Sequence, residues 1–306
     1  MDLLTTIHNK GLILDGAMAD ELEKQGVLTN NNLWTAIALT NNSQTIYQAH
    51  WDYLQAGAQL IITDTYQANV PAFVKAGYTE QEAKDFIADA VKIAQKARDD
   101  YELTTGKHNF VAGSIGSYGA YLADGSEYRG DYNLTANEYL DFHLPRLKTI
   151  IAQQPDCLAI ETQPKLTEVI TILAWLSDNA PQIPVYVSFT LHDTTRTSDG
   201  TSLKKVISAI NKFQQVFAVG INCVKPVLVT TTIKTIHQLT DKEIIVYPNQ
   251  GYSYDSFSKT WLKIPHTIDF YQSTKKWYEA GAHLIGGCCT TGPEQTCEIA
   301  RAFQEI

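Results

Sequence analysis

Eight short runs that are apolar at nearly every position, each followed by an amphipathic stretch, constrain the fold of this 306-residue chain more than any other feature. The runs are Gly11–Leu14, Gln59–Thr63, Phe110–Gly113, Cys157–Ile160, Val185–Phe189, Val216–Ile221, Glu243–Tyr247 and His283–Gly286. Continuous apolarity, in place of alternation, marks a strand covered on both faces. The intervening segments carry a helical period. Ala83, Phe86, Ile87, Ala90, Val91 and Ala94 share one face behind a Thr79–Glu82 capping box, and Thr135 with Glu138 repeats the box before Tyr139, Phe142 and Leu147. Leu203, Val206, Ile207 and Ile210 mark a further helix, Ile46, Tyr53 and Leu54 run to a glycine stop at Gly57, and Pro293 opens the last helix. Strand–helix alternation repeated eight times predicts an α/β fold, a single-domain (β/α)8 TIM barrel over residues 1–306. An open doubly wound sheet is the rival, and the lack of a G-x-G-x-x-G after the first strand weakens its dinucleotide-binding form.

The balance of charge narrows the partners. A net charge of −9 offers no basic face to a nucleic acid. No stretch of about eighteen apolar residues is present to span a membrane. The start of the chain, MDLLTTIHNKGLILDG, lacks the features of a signal peptide. Five cysteines, an odd number without a secretory signal, suit a reducing compartment, so a soluble cytoplasmic protein is expected.

In a barrel of this kind the chemistry gathers at the carboxyl ends of the strands. Cys223 ends the sixth strand in GINCVKP, and Cys288 and Cys289 end the eighth in IGGCCTTGP. Three thiolates from two strand ends would suit one zinc ion, leaving its fourth position open as catalytic sites do. The glycine pair before Cys288 allows close backbone approach there. A vicinal Cys288–Cys289 disulfide is the redox alternative, at the cost of strained geometry. Cys157 and Cys297 read as small buried hydrophobes. His192, after the fifth strand, is set aside as a loop histidine. The longest irregular stretch, Ser114–Tyr132, is expected to lie over the barrel mouth as a lid or substrate wall.

Several segments together resemble the homocysteine S-methyltransferase family: GLILDGAMADELEKQG, GSIGSYGAYLADGSEYRGDY, LAIETQP, SFTLHDTTRTSDGT, GINC, IIVYPNQG and LIGGCCTTGP. The likeness is greatest to the bacterial and plant branch that uses S-methylmethionine, and it runs in order from about Leu12 to Pro293. It implies one zinc per chain on Cys223, Cys288 and Cys289, and methyl transfer from S-methylmethionine, or also S-adenosylmethionine, to the zinc-bound thiolate of homocysteine, forming methionine. It also implies that Asp15 and Glu161 lie near the amino group of homocysteine. Asp20 and Gln163 depart from the family pattern, where a small hydroxyl residue and an aliphatic one are usual, and both bear on donor or acceptor preference.

The residues support the same chemistry independently. A thiol with a pKa near 8.5 attacks as its thiolate, and zinc deprotonates it. Asp15 and Glu161, at strand ends one and four, suit an ammonium; the plain alternative for each is a capping carboxylate. A sulfonium is stabilised by aromatic faces, for which Tyr66, Tyr118, Tyr121 and Tyr128 are placed after strands two and three. Thr65, Gln67 and Asn249 also sit at strand ends and are candidates to bind amino-acid groups. A metal-storage or redox-sensing protein would place its cysteines on exposed loops or a tail, and a zinc hydrolase would favour histidine and carboxylate ligands. A folate- or corrinoid-fed enzyme would need a further domain. Small diffusible substrates are therefore the expected partners, with the oligomeric state left open by the sequence.

Overall fold

The computed structural model describes residues 2–251, 253–255, 260–262 and 268–306. Eight parallel strands lie where the apolar runs stand: β1 Leu12–Ile13, β2 Leu60–Ile62, β3 Phe110–Ile115, β4 Cys157–Gln163, β5 Val185–Phe189, β6 Val216–Asn222, β7 Glu243–Tyr247 and β8 Leu284–Ile285. Each pairs with its neighbour in chain order, and β8 returns to β1 through Leu12 opposite Leu284. The remaining gap between β1 and β2 is closed by a parallel bridge from Leu14 to Leu60. The sheet is therefore a barrel and not the open rival.

Both faces of each strand are covered, which is why the runs are apolar throughout. Leu12, Leu14, Leu60, Ala112, Cys157, Ala159, Tyr186, Ala218, Ile245 and Leu284 pack together in one cluster, the barrel interior. Their alternates, among them Ile13, Leu158, Ile160, Val187, Val219 and Ile285, belong to the larger layer between sheet and helices. A helix the sequence reading had not placed, Leu3–Lys10, sends Leu3 and Ile7 into the interior cluster. It plugs the end of the barrel away from the strands' carboxyl termini.

The expected caps are present. Thr79 and Thr135 each exchange both bonds of a capping box, with Glu82 and Glu138, and Gly57 ends its helix with φ of 108°, a left-handed conformation that suits glycine. Pro293 opens the last helix, Pro293–Phe303. Two expectations need correction. The stretch Ser114–Tyr132 is not irregular: β3 runs through Ile115, Ser117 caps a helix over Tyr118–Leu122, and a 3-10 turn spans Ser126–Tyr128. Cys297 is exposed, because the last helix turns Thr296, Ile299 and Ala302 inward and leaves Cys297 off that stripe. Cys157, by contrast, is fully buried in the barrel interior. Among the described residues no helix is long and apolar enough to cross a membrane.

Candidate active site and metal centre

The carboxyl ends of β6 and β8 bring three sulfurs together. The Sγ atoms of Cys223, Cys288 and Cys289 all lie within 4.8 Å of one another. Cys223 Sγ stands 2.6 Å from that of Cys288 and 3.4 Å from that of Cys289, and all the chain's cysteines are free thiols. Two backbones are shaped to allow this. Cys223 adopts φ of 51°, an uncommon left-handed conformation for a residue with a side chain, at the point where β6 ends. At the other strand end, Gly286 and Gly287 are needed for close packing: a Cβ would come within 2.5 Å of Leu14 Cβ at Gly286 and 2.2 Å of Thr291 Oγ1 at Gly287. The pair thus seats the Cys288–Thr291 turn against β1.

Buried Asn222, the residue before Cys223, anchors that strand end. Its Oδ1 accepts from Thr162 N and Ser188 Oγ, both at 2.9 Å, and its Nδ2 donates to Thr162 Oγ1 at 2.7 Å. Within the thiol cluster, hydrogen bonds from Cys288 and Cys289, aided by the Tyr128 hydroxyl, push the Cys223 thiol well below its ordinary value. The thiols of Cys288 and Cys289 are pushed up, chiefly by their hydrogen bonds with Cys223, with burial adding to the rise.

All three cysteines line a cavity at the barrel mouth together with Asp15, Asp20, Glu23, Asp64, Glu127 and Glu161. Among its described lining residues there are six carboxyl side chains and no lysine, arginine or histidine. Burial raises the Glu161 carboxyl to about 7, against hydrogen bonds from Ser114 Oγ and the Tyr247 hydroxyl. Asp15 is pushed well above the usual carboxylate range by burial, although its Oδ2 accepts from Ile62 N at 2.7 Å; the nearby charge of Glu161 adds to the rise. Burial also lifts Asp20 to about 6, with Glu23 beside it.

Of the other residues picked from the sequence, Tyr66 and Gln67 line the cavity. Gln67 Nε2 donates to Ala120 O at 2.6 Å, which ties the loop after β2 to the helix of the mouth segment. Tyr66 meets Trp34 edge to face at 5.9 Å. Tyr128 also lines the cavity, whereas Tyr118 and Tyr121 pack on Phe142 with centroids 5.0 and 5.3 Å away. Thr65 is fully buried, its hydroxyl donating to Ser114 O at 2.8 Å, and it is not among the lining residues. Nor is Asn249, whose N–H donates to Val224 O and whose buried Oδ1 has no partner among the described residues. Gln163 lies buried at the irregular end of β4, donating to Ile115 O and Glu161 O. His192 is exposed on a hairpin built from Leu191–Asp193 and Arg196–Thr197. Ser114, Asn222 and Tyr247 join the site although none was singled out. Their common signal is a polar residue ending an otherwise apolar strand.

A trio of thiols at strand ends, opening into a mouth lined by carboxyls, marks an α/β barrel whose site is of a kind suited to a soft metal. The family model for homocysteine S-methyltransferase matches residues 12–303. The homocysteine S-methyltransferase of Escherichia coli (strain K12) is 43% identical over 285 residues, covering 92% of each chain. The homocysteine S-methyltransferase YbgG of Bacillus subtilis (strain 168) is 42% identical over 294 residues, 94% of this chain and 93% of its own. Among solved structures, the metallated form of the homocysteine methyltransferase MmuM from Escherichia coli superposes with a TM-score of 0.89 at 37% identity, covering 98% of both chains. The chain belongs to the homocysteine S-methyltransferase family.

Proposed function

We propose that this homocysteine S-methyltransferase takes its methyl group from S-methylmethionine and holds zinc on Cys223, Cys288 and Cys289. The observation that carries the reading is the meeting of three Sγ atoms within 4.8 Å of one another on the wall of a carboxyl-lined cavity. Tetrahedral zinc–sulfur bonds of about 2.3 Å place sulfurs roughly 3.8 Å apart, so Cys223 and Cys289, 3.4 Å apart, nearly fit, while Cys223 and Cys288, 2.6 Å apart, would open by about 1 Å. Among the described residues no fourth histidine, cysteine or carboxylate completes the set, which leaves one position for a substrate sulfur. Zinc bound there would keep the acceptor thiol ionised at neutral pH.

The chain's own residues do the rest. Asp15 and Glu161 lie on the cavity wall at strand ends one and four and suit the acceptor's ammonium, whose charge would bring both carboxyls back toward ionisation. Tyr66, Tyr128 and Trp34 offer aromatic faces to the donor's sulfonium, a cation that cannot hydrogen-bond. Transfer forms one carbon–sulfur bond and breaks another, the electron pair of the broken bond staying on the donor sulfur. No proton moves in that step, so the residues need only bring acceptor sulfur, methyl and leaving sulfur into line. S-adenosylmethionine carries the same sulfonium and amino-acid end and is the second donor this chemistry admits.

The test is metal analysis beside methionine formation from homocysteine and S-methylmethionine, on the parent protein and on Cys288→Ser. We expect about one zinc per chain in the parent, with metal and activity both lost in the variant. A variant that keeps its full zinc, or a parent that turns over after its metal is stripped, would overturn the assignment of the cysteines.

A further inference from the structure

Asp64 is an acid of the cavity that is only half satisfied by the described residues. It sits in the turn after β2, is 4% exposed and lines the cavity. Its Oδ1 accepts from Thr35 Oγ1 at 2.5 Å, but its Oδ2 is buried without a partner among the described residues. Leaving a buried carboxyl oxygen unpaired is costly, so this oxygen is suited to a hydrogen-bond donor brought by a ligand. Among the described residues the lining supplies no basic side chain to be that donor.

From this we propose that Asp64 is the anchor for the α-ammonium of the methyl donor, a second amino-acid subsite apart from the one at Asp15 and Glu161. The inference rests on the reading of the cavity as a sulfonium-donor site. The donor brings two cations, and only one can satisfy a lone carboxylate oxygen: an ammonium donates three hydrogen bonds and a sulfonium none. The acceptor's ammonium is accounted for elsewhere, because Asp15 and Glu161 act on one another and Glu161 also feels Cys223. What acts on Asp64 is burial, which lifts it to about 7, opposed by the Thr35 bond. Glu127 Oε2 is likewise buried without a partner among the described residues, but Glu127 as a whole is only half-buried, whereas Asp64 is buried. The neighbours fit the assignment. Thr35 follows Trp34, Asp64 precedes Thr65 and Tyr66 by one and two residues, and Trp34 and Tyr66 meet edge to face in the same lining. Donor ammonium and donor sulfonium are thus received by adjoining residues of two segments.

The experiment uses Asp64→Asn, which keeps the shape and an acceptor for Thr35 but removes the charge. With homocysteine saturating, the KM for S-methylmethionine should rise at least about tenfold, while the KM for homocysteine, the zinc content and the Tm stay near those of the parent. A second arm uses the donor analogue that lacks the amino group, dimethyl(3-carboxypropyl)sulfonium. The parent should prefer S-methylmethionine over it, and the variant should lose most of that preference. An unchanged donor KM, or a rise confined to homocysteine, would overturn the subsite and leave the transfer reading standing. Should the parent transfer no methyl group from any sulfonium, the transfer reading fails. Calorimetric binding of S-methylmethionine then decides the subsite, which stands if Asp64→Asn weakens binding and falls if it does not.

Discussion

Cys223, Thr162 and Thr290 adopt left-handed φ angles of 51°, 54° and 66°, and all three line the cavity. With Trp34 and Ala123 they make five of the six such non-glycine residues described, so backbone strain is concentrated at the mouth. Each such conformation costs on the order of 1–3 kcal/mol and persists only where neighbours enforce it. Asn222 is the enforcer at Cys223 and Thr162, through the three hydrogen bonds that join β6 to β4 and β5. Replacing it, as in Asn222→Ala, should weaken metal binding roughly 10–100-fold with every cysteine in place, because ligands set loose bind less well. Competition with a chromogenic chelator measures this, and an affinity equal to the parent's would show that the strand ends hold their shape without Asn222. The cysteines themselves were legible because a strand end is a fixed landmark in a barrel. Asp64, also at a strand end, was not singled out, because its meaning lies in a missing partner and sequence shows only the residue. Cys297 misled for a related reason: a single position on a helix says little about which way it faces.

The segments that carry these residues are held by one buried network. Glu168, fully buried, accepts from Tyr118 N at 2.6 Å and from the Tyr132 hydroxyl at 2.5 Å, and pairs with His143 Nε2 at 2.8 Å. Arg146 donates to His143 Nδ1 at 3.0 Å, to Tyr66 O at 2.8 Å and to Gly116 O at 2.6 Å. Because Nδ1 accepts, the proton of a neutral His143 lies on Nε2 facing Glu168, in keeping with the lowering of its pKa by burial. The network ties the loop after β2, the segment after β3 and the two helices Ala136–Ala152 and Leu166–Asn179. Breaking a buried charged set by removing one member costs about 3–5 kcal/mol. For Glu168→Ala we therefore expect a Tm lower by on the order of 10 °C, with donor KM raised because Tyr66 loses its support. A melting temperature within about 1 °C of the parent's would mean the loops are held otherwise. This part of the molecule was hidden from sequence reading. Capping boxes are local and visible, as at Thr79 and Thr135, but Tyr118 and Tyr132 are separated from Glu168 by up to 50 residues. Tyr118 and Tyr121 accordingly read as cavity residues when their rings serve the packing around Phe142.

Taken as one object, the molecule concentrates negative potential where its substrates enter. The whole chain carries a net charge of −9, and six carboxyls face a cavity whose described lining has no cation. Such a mouth draws cationic ligands and repels anions before any contact is made. Without ligand, burial holds these carboxyls above their usual range: Glu161, Asp64 and Glu127 are raised to about 7 and Asp20 to about 6. An arriving ammonium and sulfonium favour the ionised forms and lower those values again. Binding of the proposed donor, S-methylmethionine, near pH 6 should therefore release protons, since the donor's charge favours ionisation of groups that burial holds protonated in the free protein. Toward pH 8 they are already ionised before the ligand arrives, and the release should fade. Calorimetry of donor binding in two buffers of different ionisation enthalpy counts these protons directly. Proton uptake at pH 6, or a release that grows toward pH 8, would show that the carboxyls of the mouth do not meet the donor's charge. A release of about one proton at pH 6 that falls away in Asp64→Asn would tie the effect of the whole cavity to Asp64.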